Sequence, residues 1–182
     1  MRPNCPSSED FLRALAREFP GFRIVSKRND RFSHLIDRAL RLVTFGRQRS
    51  FISHYHTVIG NTLYTPLAWE RTAEVDRVIT LRHERIHLLQ RKRWGLLPMA
   101  FLYLVPLFPV GLALGRARIE WEAYVETLRA TAEYLGPEAV RDPILRERIV
   151  SRFTGADYGW MWPFRAQVER WYDRALASLD LP

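Results

Sequence analysis

The chain has 182 residues, of which 47% are hydrophobic and 13% aromatic. This length and composition allow a buried core, which excludes disorder over most of the chain and predicts a single domain. The 28 basic and 20 acidic residues give a net charge of +8, and all but Lys27 and Lys92 of the basic residues are arginine. No recognised nucleic-acid motif accompanies this charge, so no specific nucleic-acid partner is predicted. An anionic membrane surface stays open as a partner.

The cysteine content and the N-terminal residues indicate which cellular compartment to expect. Cys5 is the only cysteine, which excludes an intrachain disulfide and a zinc site built from thiolates of one chain. Residues 1–10 lack the apolar segment of a secretory signal. We therefore expect a cytoplasmic protein, with peripheral contact or insertion at a membrane left open.

The first half of the chain predicts helices followed by a small sheet. Helices are expected over residues 7–19 and 32–45, each closed by a glycine. Residues 51–59 are rich in β-branched and aromatic side chains, and Gly60-Asn61 is a hairpin signal before a second strand at residues 62–65. Residues 22–25 are a candidate third strand. The expected sheet is small and antiparallel.

The second half is predicted to be helical. A long helix is expected over residues 70–94, with Gly95 at its C-terminus and basic residues in its last turn. Further helices are expected over residues 117–135, 137–148 and 163–179, with a loop at 151–162. The fold class is therefore α+β and mostly helical. Within the single domain, residues 1–50 would form N-terminal helices, 51–135 the core that carries the site, and 136–182 the C-terminal helices.

The long helix contains the pattern H-E-x-x-H, formed by His83, Glu84 and His87. Side chains four residues apart lie on one helix face, about one turn apart, because each residue advances the helix by about 100°. Two such imidazoles can bind one zinc ion, and the adjacent carboxylate can take a proton from a water molecule that zinc activates. The alternative is a solvated, salt-bridged helix with two incidental histidines. Arg85 favours that alternative, because the stricter form of the pattern has no charge there.

Residues 96–114 contain no charged side chain, which makes them a transmembrane candidate by length. Three prolines and a glycine interrupt a continuous helix, and arginines flank both sides, so no charge asymmetry sets an orientation. A single crossing would also carry any later ligand about 28 Å away, at 1.5 Å per residue. We therefore expect this segment to fold back. It would do so as a buried core segment or as a hairpin that dips into a membrane.

A catalytic zinc ion usually has three protein ligands, so a third is expected downstream of the histidine pair. The acidic candidates are Glu120, Glu122, Glu126 and Glu133. Glu120 and Glu122 are about 200° apart around a helix, so both cannot face one metal ion. These residues alone leave the choice open.

Around these glutamates the chain resembles the gluzincin-type zinc metallopeptidases. In that family a second helix brings a glutamate to the metal, and the glutamate often lies within the pattern E-x-x-A-D. The matching stretch here is Glu120-Trp121-Glu122-Ala123-Tyr124. The resemblance implies Glu120 as the third ligand, and it places Tyr124 where the family has aspartate. That aspartate would orient a metal-binding histidine, so Tyr124 is a candidate for contact around the metal. More narrowly, the pattern HExxH…ExEAY is similar to that of small bacterial or phage proteins of unknown function.

The resemblance implies a zincin-like fold, with the sheet packed on the H-E-x-x-H helix, and hydrolysis of a peptide or protein substrate with Zn²⁺ as cofactor. His83, His87 and Glu120 would hold the metal, and Glu84 would be the catalytic base. His54 or His56, which alternate on the predicted strand, and Tyr158 are candidates for stabilising the transition state. The alternative function is a non-catalytic or membrane-associated binding or assembly protein whose metal site is structural or vestigial.

Overall fold

The structure is a computed structural model, and it describes residues 5–43, 51–104, 113–155 and 161–179. Most of these residues are helical, and the strands form one three-stranded mixed sheet. The coarse α+β expectation is therefore confirmed. The chain divides into two compact units, one of residues 6–88 and one of residues 1–5 with 89–182. The single zincin-like domain predicted from the sequence stays a prediction.

The N-terminal unit begins with α1 (Ser8–Glu18), as the sequence predicts. Ser7 and Asp10 form a capping box, in which each side chain accepts a hydrogen bond from the backbone N–H of the other residue. Such a box satisfies two of the N–H groups that a helix start leaves unpaired. Helix α2 (Arg31–Val43) follows a short strand, β1 (Arg23–Ser26). Both predicted N-terminal helices are thus present.

The sheet has the order β1-β3-β2, with β2 at Thr57–Ile59 and β3 at Thr62–Thr65. Strands β2 and β3 form the predicted antiparallel hairpin, and Gly60 in its turn has a φ of +62°, which glycine adopts without steric cost. Strand β1 pairs parallel to β3. The expectation of a purely antiparallel sheet is therefore wrong, although the third strand itself is present.

The predicted strand over residues 51–59 is wrong in its first half. Residues Phe51–His54 form a short helix, α3, and only Thr57–Ile59 is strand. The buried Lys27 ammonium explains the difference, because it donates hydrogen bonds to the carbonyls of Phe51 and Tyr55 at 3.2 and 2.8 Å. A tight turn brings those two carbonyls to one cation, whereas an extended strand would separate them. Tertiary contact here overrides a weak β preference.

A 3-10 helix (Leu67–Arg71) precedes α4, which runs from Glu74 to Trp94. The predicted start at residue 70 is therefore four residues early, whereas the predicted end before Gly95 is confirmed by the left-handed φ of +82° at that glycine. Helix α1 is fixed to the N-terminal half of α4 at two points. Ser8 donates its backbone N–H to the Glu74 carboxylate at 2.6 Å, and Arg85 donates two hydrogen bonds to Glu18 at 2.7 Å. The two helices consequently run parallel in this unit.

In its described residues, the C-terminal unit contains the end of α4 and five further helices. These are α5 (Leu96–Leu104), α6 (Leu114–Leu135), α7 (Pro137–Arg141), α8 (Pro143–Thr154) and α9 (Arg165–Ser178). The predicted helix over residues 137–148 is thus two helices, which separate at Asp142 because its side chain caps α8. The core lies between α6, α8 and α9, where Phe153 and Val168 are fully buried and Tyr172 is 1% exposed.

Of the uncharged segment, the structure describes α5 and the residues from 113 onward. Helix α5 packs against α6, and Leu102 approaches Gly115 so closely that a Cβ atom there would lie 3.0 Å from the leucine backbone oxygen. The buried-core alternative does not hold for α5, because Leu97 and Phe101 are 81% and 65% exposed. Within the described ranges, no helix combines the length and apolar character that a membrane crossing needs.

Candidate metal centre

Helix α4 brings the two motif histidines together as the spacing predicts. The Nε2 atoms of His83 and His87 lie 3.3 Å apart, and the rings meet edge to face with centroids 5.0 Å apart. His87 is buried, and His83 is half-buried. A tetrahedral zinc ion with Zn–N bonds of about 2.0–2.1 Å holds neighbouring ligand atoms about 3.3–3.4 Å apart. The imidazole pair therefore already has the separation that one zinc ion requires.

Glu120 on α6 is the third member of a group that could hold a metal ion. One ligand atom from each of His83, His87 and Glu120 lies within 4.8 Å of the other two, and the Glu120 residue is 4% exposed. Two imidazole nitrogens and one carboxylate oxygen form a donor set that suits zinc and leaves a fourth position open. The residues present thus fit the metal that the sequence pattern predicts.

Glu122, the alternative third ligand, has another role. It is exposed, and its carboxylate accepts a hydrogen bond of 2.8 Å from Gln90. The metal-binding group found among the described residues contains Glu120 and not Glu122. The difference follows from the helix, because the two glutamates project from nearly opposite sides of it.

Gln90 is a residue that the sequence reasoning missed. Its side-chain nitrogen donates to the backbone oxygen of Ile119 at 3.0 Å as well as to Glu122, and the residue is 4% exposed. Ile119 immediately precedes Glu120, so Gln90 fixes the register of α6 next to the end of α4. The spacing of Gln90 from the two histidines in the sequence could have revealed this structural role. His83, His87 and Gln90 have the spacing i, i+4, i+7, which places them on one helix face.

Glu84 is 6% exposed, which is unusual for a carboxylate. Glu84 interacts electrostatically with Lys27, a fully buried residue of the same unit. Burial lowers the pKa of Lys27 to about 8, although the carboxylates of Glu84 and Asp37 act to raise it. Lys27 therefore offers the buried carboxylate of Glu84 a nearby positive charge.

Lys27 also organises the segment before β2, a role that no sequence pattern indicates. Besides the Phe51 and Tyr55 carbonyls, its ammonium group donates to Thr57 Oγ1 at 2.8 Å and lies 3.6 Å from the centre of the Phe51 ring. Three hydrogen bonds satisfy the three donors of a lysine ammonium group. The lysine consequently holds the chain on both sides of His56.

His56 lies against Trp69, with ring centroids 5.1 Å apart. Its Nε2 is buried and has no hydrogen-bonding partner in the part of the chain that the structure describes. Burial, with added repulsion from the charges of Lys27 and His83, lowers the pKa of His56 to about 3. The ring is therefore neutral at neutral pH. His54, the other candidate, lies in α3 and not on a strand, so the predicted alternation of these two histidines along one strand is wrong.

Arg85 departs from the strict pattern, and the structure accounts for its charge. The Arg85 side chain is 35% exposed, and its guanidinium binds the Glu18 carboxylate through two nitrogens. It projects about 200° around α4 from His83. The charge belongs to the contact between α1 and α4 and does not face the histidine pair.

Of the two candidate tyrosines, the structure describes Tyr124 but not Tyr158. Tyr124 follows Glu120 by one turn of α6, and its ring packs on Phe153 with centroids 5.4 Å apart. It is thus connected to the core of the C-terminal unit. Tyr158 lies outside the described residues. Its predicted contact with a reacting substrate stays a prediction.

Comparison with protein-family models, curated proteins and solved structures finds no match for this chain. Function therefore has to be inferred from the side chains themselves. The two imidazole nitrogens lie 3.3 Å apart, and the buried Glu120 has a ligand atom within 4.8 Å of those of both histidines.

Proposed function

We propose that the protein is a gluzincin-type zinc metallopeptidase with a zincin-like fold, which hydrolyses peptide bonds in peptides or proteins. The observation that carries this proposal is the convergence of His83, His87 and Glu120 within 4.8 Å. Because the donors are two nitrogens and one oxygen, we assign zinc as the metal. The resemblance of the sequence around Glu120 to the gluzincin pattern supports the same assignment.

Each residue has a distinct part in the proposed reaction. His83, His87 and Glu120 would hold the ion, and zinc bound there would supply Lewis acidity that lowers the pKa of water and polarises the scissile carbonyl. Glu84 accepts a proton from the attacking water as its oxygen bonds to the carbonyl carbon. When the C–N bond breaks, Glu84 returns that proton to the leaving nitrogen. The overall reaction consumes one water molecule and needs no further reactant.

The surroundings of Glu84 favour its role as the general base. Glu84 is 6% exposed and directly follows His83 in the chain. Lys27, a buried cation of the same unit, interacts electrostatically with it. A buried carboxylate beside the proposed metal ligands is in position to act as a general base.

The test is the substitution Glu84→Gln, which removes the base and keeps the size of the side chain. We expect cleavage of a quenched fluorescent peptide library to fall by about 10²–10⁴-fold, the range typical of a lost general base. Bound zinc, measured by mass spectrometry of the purified protein, should be unchanged. Asp76→Asn, an exposed carboxylate in the first turn of the same helix, is the matched control and should leave cleavage unaltered.

The alternative function is a binding or assembly protein whose zinc site is structural or vestigial. Equal zinc content with no cleavage by either the unaltered protein or the control variant would favour it. Undiminished cleavage by Glu84→Gln would instead contradict the assigned base.

A further inference from the structure

Helix α5 presents large apolar side chains to solvent. Leu97 and Phe101 are 81% and 65% exposed, and Leu96 is 51% exposed. Residues 97 and 101 are four apart, so they share one face of the helix. Single exposed apolar residues are common, but a contiguous group of them marks an interaction site.

The position of α5 in its unit is fixed on the other side. Leu102 contacts the start of α6 at Gly115, where the approach is too close for any larger residue without displacement. Packing of Leu102 holds α5 in place, so Leu97 and Phe101 project from a helix whose position within the unit is fixed. The exposed side chains are therefore a stable feature of this unit.

The charge around α5 has one sign. Residues 91–119 include five basic side chains and no acidic one. Lys92 and Arg93, in the last turn of α4, are exposed, and the guanidinium of Arg93 lies 5.8 Å from the ring centre of Trp94. Gly95 alone separates this basic turn from α5. Apolar and basic groups are thus adjacent, with an aromatic residue between them.

A second copy of the chain is a poor complement to this region. In a two-fold interface the same surface meets itself, so Lys92 and Arg93 would approach their own equivalents with no carboxylate from this segment to compensate. An anionic bilayer supplies both missing partners. Its headgroups attract basic side chains, and its acyl region accepts leucine and phenylalanine.

We propose that Leu96, Leu97 and Phe101, together with Lys92 and Arg93, form a docking surface for an anionic lipid bilayer, hereafter the α5 surface. The apolar side chains enter the boundary between headgroups and acyl chains, and the basic side chains contact lipid phosphates and carboxylates. This proposal is independent of the metallopeptidase assignment, because it uses no residue of the metal centre.

The test is flotation of the full-length protein with vesicles of phosphatidylcholine alone or mixed with phosphatidylglycerol. We expect binding to the anionic vesicles, weak binding to the neutral ones, and loss of binding at high salt. The double variant Leu97→Ser/Phe101→Ser should bind anionic vesicles at least about 100-fold more weakly, since two large apolar side chains together contribute about 3 kcal/mol or more on burial. Lys92→Ala/Arg93→Ala should also weaken binding, about 30-fold, since two basic residues contribute about 2 kcal/mol at an anionic surface.

The matched control is Leu42→Ser/Ile144→Ser, because these residues are 80% and 67% exposed on α2 and α8. It should bind like the unaltered protein, and circular dichroism of every variant should match that of the unaltered protein. The proposal is overturned if the serine variant at positions 97 and 101 still binds anionic vesicles fully. It is also overturned if the unaltered protein binds no vesicles. In that case, loss of a concentration-dependent dimer in the serine variant would show that the α5 surface joins two copies of the chain.

Discussion

Two consecutive helices depart from the usual distribution of side chains in opposite directions. On α4, Glu84, His87 and Gln90 are polar and buried, whereas on α5, Leu97 and Phe101 are apolar and exposed. Both arrangements oppose the trend that governs most of a folded chain, and both are more informative than an ordinary core residue or an ordinary surface residue. From the buried polar groups we infer a metal centre, and from the exposed apolar groups we propose a docking surface.

The comparison implies different contributions to stability. Leu88, next to His87 on α4, is fully buried, and Leu97 is 81% exposed. We expect Leu88→Ala to lower the free energy of unfolding by about 2–5 kcal/mol, because it creates a cavity. Leu97→Ala should change it by less than about 0.5 kcal/mol. Urea denaturation measures both, and similar losses for the two would contradict the assignment of Leu97 to an exposed surface.

Gln90 tests whether the buried polar face of α4 is structural support for the metal ligands. Gln90→Ala should cost about 1–3 kcal/mol of stability, because it leaves the Ile119 carbonyl buried without its donor. Glu122→Ala should cost less, since Glu122 is exposed. Thermal unfolding measures both effects. Zinc affinity separates positioning from stability, and equal affinity in Gln90→Ala and the unaltered protein would show that Gln90 does not position Glu120.

His56, which precedes β2, makes the stability of the fold depend on pH. Its pKa is lowered to about 3 in the folded protein, against about 6.5 in the unfolded chain. The unfolded state therefore binds the extra proton first as pH falls. The stabilisation is complete above about pH 6.5, and is lost by up to about 1.4 kcal/mol per pH unit below it until the folded pKa is reached.

This dependence is measured by urea denaturation of the metal-free protein between neutral pH and pH 5. His56→Asn should flatten the pH profile relative to the unaltered protein. An identical slope in the variant would show that another group is responsible for the acid sensitivity.

The smallest expected effect concerns Arg85 and Glu18. Their two-nitrogen ion pair is about two-thirds buried, so a double-mutant cycle with Arg85→Ala and Glu18→Ala should give a coupling of about 0.5–1 kcal/mol. The exposed pair of Arg13 with Glu9 on α1 is the control, and should give no measurable coupling. Equal coupling in the two cycles would contradict a specific role for Arg85 in joining α1 to α4.

Local features of the fold were predictable because their causes are local. The capping serine of α1, the glycine turn before β3 and the glycine at the end of α4 each follow from a few adjacent residues. The face shared by His83 and His87 follows from helical spacing alone. These elements were therefore predicted correctly, apart from shifts of a few residues at helix starts.

Features that depend on distant contacts were not predictable. Parallel pairing of β1 with β3 joins residues about forty positions apart, and the α3 turn depends on Lys27, which lies 24 residues before Phe51. Nothing adjacent to Lys27 in the sequence signals its burial. The choice of Glu120 over Glu122 required the family resemblance, because both carboxylates lie on one helix and only the neighbouring contacts distinguish them.

The claim on which the functional assignment depends is that His83, His87 and Glu120 bind one zinc ion. X-ray absorption at the zinc edge, on protein loaded with one equivalent of zinc, tests it most directly. We predict two imidazole nitrogens and one carboxylate oxygen at about 2.0–2.2 Å, with the carboxylate contribution lost in Glu120→Gln and retained in Glu122→Gln. An unchanged spectrum in Glu120→Gln, or loss of the carboxylate in Glu122→Gln instead, would contradict the account.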